Sequence, residues 1–123
     1  MKTLEPLNTR AELVAYCLAK AGAWLDEPWE GDEVVKVGDK IFAFLGSADG
    51  PAPSVGLKCG RTADEAAELR ARYPEQVVAS AYVGRYGWNT IGLAGLPADE
   101  LRELVDMSYD AAVSALPRSK RPT

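Results

Sequence analysis

Histidine is absent from all 123 residues. Without an imidazole, Ser-His-Asp and Cys-His nucleophiles are excluded, and with them any zinc site that uses histidine. Cysteine is scarce: Cys17 and Cys59 are too few for a disulfide scaffold and too far apart for a CxxC metal or redox motif. Both read as small buried apolar residues, Cys17 within a helical pattern and Cys59 at a strand end. No apolar run approaches the roughly 20 residues that a membrane span needs. The opening Met1-Lys2-Thr3-Leu4-Glu5-Pro6 also lacks the apolar centre of a secretory signal, so a cytoplasmic location is expected. Basic residues are outnumbered, 14 against 18 acids, for a net charge of -4 and a pI near 4.8. Proteins that neutralise phosphates usually carry a basic patch, so this balance argues against nucleic acid unless a local patch overrides it.

What is present suffices for one core. Hydrophobic residues make up 47% and charged residues 26% of the chain, which predicts a single domain over residues 1–117 and a short basic tail, 118–123, expected to be disordered. Thr9-Arg10-Ala11-Glu12 fits a capping box, and Leu13, Val14, Cys17, Leu18 and Ala21 follow at helical spacing, so a first helix is predicted over about 10–21. Residues 22–33 then gather Trp24, Pro28 and Trp29 with Asp26, Glu27, Glu30, Asp32 and Glu33. Clustered carboxylates suit a hard cation, yet the spacing of a calcium loop is missing; a solvated loop with aromatics capping the core explains the same residues better.

Val34–Val37 and Lys40–Leu45, joined by Gly38-Asp39, predict a hairpin with Val37 opposite Lys40. Strict alternation would put Val35, Val37, Phe42 and Phe44 on one face and Val34, Lys36, Ile41, Ala43 and Leu45 on the other. Both faces are largely apolar, so the one without helices is either an association surface or covered by another part of the chain. Gly46 to Pro53 is turn-rich and lacks the lysine of a phosphate loop. A third strand, Ser54–Cys59, alternates Val55, Leu57 and Cys59 against Ser54, Gly56 and Lys58. A second capping box at Thr62–Glu65 opens a helix that buries Ala66, Leu69 and Tyr73 and ends at Pro74. Glu68 is placed to pair with Arg72, and Arg70 and Arg72 face solvent. Val77–Tyr82 and Thr90–Leu93 read as strands. Between them Gly84-Arg85-Tyr86-Gly87-Trp88-Asn89 is a glycine-bracketed turn that delivers Trp88 to the sheet. Pro97 starts the last helix, whose stripe of Leu101, Leu104, Val105, Ser108, Ala112, Val113 and Leu116 ends at Pro117. The order α-β-β-β-α-β(-β)-α predicts an α+β two-layer sandwich, an antiparallel sheet with helices on one face.

Lys40-Ile41-Phe42-Ala43-Phe44-Leu45, Ser54-Val55-Gly56-Leu57-Lys58-Cys59, Trp88-Asn89-Thr90-Ile91 and the closing helix with Asp106-Met107-Ser108-Tyr109 together resemble the MmcQ/YjbR family of small bacterial proteins. The resemblance implies a compact fold similar to CyaY-like and secretion-chaperone-like domains, and a DNA-binding role. Many members carry histidine directly before the Trp-Asn pair, where this chain has Gly87, so no role of that histidine transfers.

Two functions are weighed. In the first, a nucleic-acid-binding module uses Lys36, Lys58, Arg61 and Arg85 on phosphates, Tyr86 and Trp88 to stack on bases, and Asn89 to hydrogen-bond a base edge. In the second, a protein-interaction or chaperone-like module associates as a homodimer or with a protein partner through Ile41, Ala43 and Leu45. Asp26, Glu27 and Glu30 are the only enzymatic candidates. No nucleophile, base and oxyanion donor converge, so neither catalysis, a metal nor a cofactor is expected.

Overall fold

The computed structural model describes residues 7–46, 53–60, 62–80 and 87–122. Helix α1 spans Arg10–Leu18, and strands β1 (Ala23–Trp29), β2 (Asp32–Val37), β3 (Lys40–Gly46) and β4 (Ser54–Lys58) follow it. Then come α2 (Ala63–Arg72), β5 (Val77–Ala79), β6 (Trp88–Gly92), a 3-10 turn at Leu93–Gly95 and α3 (Ala98–Ala115). The strands form one antiparallel sheet in the order β1-β2-β3-β4-β6-β5. Leu13 and Cys17 of α1, Ala66 and Leu69 of α2, and Leu101, Leu104, Val105 and Ala112 of α3 join Val35, Val37, Val55, Leu57, Val77 and Ile91 of the sheet in one core cluster. All three helices therefore lie on one side, as the order of elements predicts.

The predicted start signals hold. Thr9 accepts from the Glu12 amide while Glu12 reaches back to the Thr9 amide, completing the capping box. Thr62 accepts from the Glu65 amide at 3.4 Å. Helix α1 stops at Leu18, a turn earlier than predicted, and Gly22 at φ 74° lets the chain reverse into the sheet.

Residues 23–29, read from sequence as part of an acidic loop, form edge strand β1. Trp24 pairs with Lys36 and Asp26 with Val34, and the register slips between Asp26 and Trp29. An edge strand tolerates Pro28 and several carboxylates because one of its sides has no ladder to satisfy, so the usual strand signal is masked.

The β2–β3 hairpin has Val37 opposite Lys40, with Gly38 at φ 59°. Lys36 then faces Ile41 but Val35 faces Ala43, so Phe42 is an extra residue in β3. This bulge reverses the predicted faces beyond it. Ala43 and Leu45, expected on the uncovered face, are 0% and 4% exposed inside the helix-side core. Phe44 moves the other way and joins Val34, Lys36 and Ile41.

Residues 118–122, expected to be disordered, turn back against the end of α3. Arg118–Lys120 is a 3-10 turn, and Arg121 donates from Nε to the Leu116 carbonyl and from Nη2 to the Ser114 carbonyl, each at 3.0 Å. A guanidinium there satisfies carbonyls left open at the end of α3 and complements its dipole. The predicted Glu68–Arg72 pair gives way to Arg72 with Glu100 at 3.9 Å.

Candidate recognition surface

The sheet face away from the helices carries Trp24 and Asp26 from β1, Val34 and Lys36 from β2, and Ile41 and Phe44 from β3. The far half adds Gly56 and Lys58 from β4 and Trp88 and Thr90 from β6. Two places on it join an aromatic ring to a lysine. At one end the Lys36 ammonium sits 5.2 Å from the Trp24 ring centroid and 2.8 Å from Asp26, while the indole N–H of Trp24 donates to the Gly38 carbonyl. That hydrogen bond with Lys36 holds the Asp26 carboxyl below its usual range. Trp24 remains 44% exposed, and Trp29, at the β1–β2 tip, 57%.

At the other end Lys58 and Trp88 are direct cross-strand partners. Trp88 meets Phe44 edge-on, with ring centroids 5.1 Å apart at 74°. Gly56 lies beneath this pair: a Cβ there would stand 3.1 Å from Phe44 Cβ, so the missing side chain gives the Phe44 ring its room. The Gly87 carbonyl accepts from Cys59 N at 2.7 Å and the Trp88 carbonyl from Ser80 N at 3.1 Å, which fixes Trp88 between two strands.

Lys36, Lys58 and Trp88 of the predicted set therefore share this face, with Lys36 already paired. Asn89 does not. It points into the helix side, fully buried, where it donates to the Ala66 carbonyl and accepts from Arg70 Nη1 at 2.7 Å. It joins α2 to the sheet and cannot reach a base. Sequence reasoning also missed Arg70, placed at the surface because its helix position is off the apolar stripe. Arg61, Arg85 and Tyr86 lie outside the described residues.

At the end of β4, Lys58 and Gly60 also border a cleft of about 790 Å³ lined by Glu65, Glu103, Asp106 and Asp110, together with Met107, Ala111 and Ser114. This is acidic ground, and Asp106 is already engaged: it pairs with Lys20 and accepts from Tyr16 Oη at 2.8 Å. No group of three metal-ligating side chains occurs among the described residues. Burial pushes the Cys17 thiol up to about 12 and the Cys59 thiol up to about 11, so neither is poised as a thiolate. No described helix is long and apolar enough to cross a membrane.

The YjbR family profile matches residues 18–111. The chain belongs to the YjbR family. It is 37% identical over 116 residues to Uncharacterized protein YjbR of Escherichia coli (strain K12), an alignment covering 92% of this chain and 94% of that protein. The protein of that name in Escherichia coli O157:H7 matches to the same extent. In structure the chain is similar to Deinococcus radiodurans protein DR2400, a DUF419 domain, with a TM-score of 0.83 at 22% identity, covering 96% of this chain and 88% of that one. At that identity the likeness shows the fold alone. In this YjbR-family chain position 87 has no room for a side chain: Gly87 has φ 93°, and a Cβ would meet the Gly60 carbonyl oxygen at 2.7 Å.

Proposed function

We propose that this YjbR-family chain is a non-enzymatic recognition module that works through the sheet face away from its helices, with single-stranded DNA as the ligand. The observation that carries the reading is the direct pairing of Lys58 with Trp88, repeated at the far end by Lys36 over Trp24. An indole offers any base a stacking surface, and a neighbouring ammonium meets the phosphate that follows it. The face suits an unpaired strand, whose bases are free to stack on exposed rings. Among the described strand residues of this face the carboxylates are Asp26, tied to Lys36, and Asp32 at the hairpin tip, while Lys58 also borders the acidic cleft against α3. The test is fluorescence anisotropy of a labelled oligothymidine at low salt. Trp88→Ala is expected to weaken binding by about 1–3 kcal/mol, the usual worth of one stacked base, and Lys58→Ala to flatten the salt dependence. Undetectable binding by the wild type at low salt ends the reading.

A second reading is a protein-interaction module, and the exposure of Trp24 and Trp29 on an edge strand favours it. Of the residues first assigned to it, Ile41 stays on the uncovered face and Ala43 and Leu45 leave it. On this reading Ile41→Lys abolishes self-association or partner capture without unfolding the chain. A wild type monomeric at high concentration speaks against a homodimer.

A further inference from the structure

The strand registers set the residues of this face in rows that run across the sheet. Asp26, Val34, Phe44, Gly56, Thr90 and Val78 are partners in turn through all six strands. The next row on the same face lies two residues further along each strand, toward the β2–β3 turn, with one extra residue counted in β3 for the bulge at Phe42. It holds Trp24 of β1, Lys36 of β2, Ile41 of β3, Lys58 of β4 and Trp88 of β6.

The two rows differ in access. Val34 is 1% exposed and Gly56 is buried, so the first row is closed along its middle. Every residue of the second is at least partly exposed. It forms an open band with a tryptophan at each end. Four strand steps separate the two tryptophans, and at about 4.8 Å a step their backbones stand roughly 19 Å apart. Stacked nucleotides advance about 3.4 Å each, so roughly six steps, a strand of about seven nucleotides, reach from one ring to the other. A trinucleotide offers only two steps, each of which would have to cover about 10 Å, close to three times that advance. It reaches one ring only.

We infer that one DNA strand crosses the sheet along this row, at right angles to the β-strands, with one base on Trp24 and another on Trp88 at the same time. The ligand is then an oligonucleotide of about seven nucleotides or more, and shorter pieces bind at one end alone. The inference rests on the reading of this face as a nucleic-acid surface and adds to it the path and length of the strand. Joining two weak contacts on one ligand makes the second intramolecular, which raises affinity without any further contact. Lys58 stands inside this path, where a phosphate passes, whereas Lys36 stays engaged with Asp26 and the Trp24 ring.

The experiment titrates the full chain by calorimetry at low salt with oligothymidines of three and eight nucleotides, and repeats the titrations on Trp24→Ala and Trp88→Ala. The wild type is expected to take two trinucleotides per chain but a single octanucleotide, held about a hundredfold more tightly. Trp24→Ala is expected to take one trinucleotide and to bind the octanucleotide about tenfold or more below the wild type. The wild-type stoichiometry needs no variant: two octanucleotides per chain, or a single trinucleotide, overturn the crossing path. Equal octanucleotide affinity in Trp24→Ala and the wild type, with Trp88→Ala weakened, also overturns it and leaves the Lys58–Trp88 reading standing. Undetectable binding of both lengths by the wild type ends the path and the reading together.

Discussion

The Ser108 hydroxyl of α3 donates to the Phe42 carbonyl of β3 at 2.6 Å, and the same oxygen accepts from the Lys58 amide of β4 at 3.0 Å. A helix side chain thus stands where a ladder hydrogen bond between β3 and β4 would otherwise form. The bulge at Phe42 opens this gap, since the β3–β4 register is held by Phe44 and Gly56. Ser108, 1% exposed, closes it by satisfying one carbonyl and one amide with a single atom. Ser108→Ala leaves both without a partner. The expected loss is about 2–3 kcal/mol in urea unfolding with an unchanged m-value. A loss below about 0.5 kcal/mol would show that water serves equally well.

Gly87 is the second backbone constraint. Its φ of 93° and the proximity of the Gly60 carbonyl bar a Cβ from this position. Gly87→His is expected to destabilise the fold by about 1–3 kcal/mol through strain at that φ and to lower the melting temperature. A histidine variant as stable as the wild type would mean that the turn relaxes at little cost.

Asn89 separates a structural role from a recognition role. Asn89→Ala removes the acceptor of Arg70 and the donor to Ala66 within the core, for an expected loss of about 2–3 kcal/mol. Affinity for oligonucleotide, measured where the variant is still folded, is expected to match the wild type. Reduced affinity with full stability would return Asn89 to the binding surface.

The alkaline limb of the stability curve reports on the α1–α3 contact. Burial and then the Asp106 carboxylate raise the Tyr16 hydroxyl above its usual range. Burial alone would lower Lys20, but its hydrogen bond and charge pairing with Asp106 outweigh that and hold it raised. Groups raised on folding contribute stability that is intact below their unfolded pKa values, near 10 for Tyr and 10.4 for Lys, and is lost as pH climbs through the folded ones. Stability is therefore expected to fall above about pH 10, and Asp106→Asn to make the fall shallower. An identical alkaline slope in the variant would remove Asp106 as its cause.

Much of this fold was legible in the residues. The Thr9–Glu12 capping box, the Thr62 cap, the apolar stripe of α3 and the alternation of Val55, Leu57 and Cys59 each state a local preference that the core then uses. Two features were not. A bulge is one residue inserted between partners, and nothing local in Lys40–Leu45 marks Phe42 as the extra one; the Ser108 hydroxyl that rewards it lies 66 residues away. Strand β1 hid behind Pro28 and its acids because an edge is allowed residues that an interior strand is not. The candidate surface was half legible. Lys36, Lys58 and Trp88 stand out by type, whereas Trp24 lay in a stretch read as a loop and Asn89, one residue on from Trp88, turns to the helix side.

The most direct measurement uses the three tryptophans as reporters. Their indole N–H groups give separate resonances in a nitrogen–proton correlation spectrum, and oligothymidine is added at low salt. The Trp24 and Trp88 indoles and the Lys58 amide are expected to shift together and saturably, while amides on the outer faces of α2 and α3 stay in place. Shifts confined to the helices, or a spectrum that does not change, would contradict it.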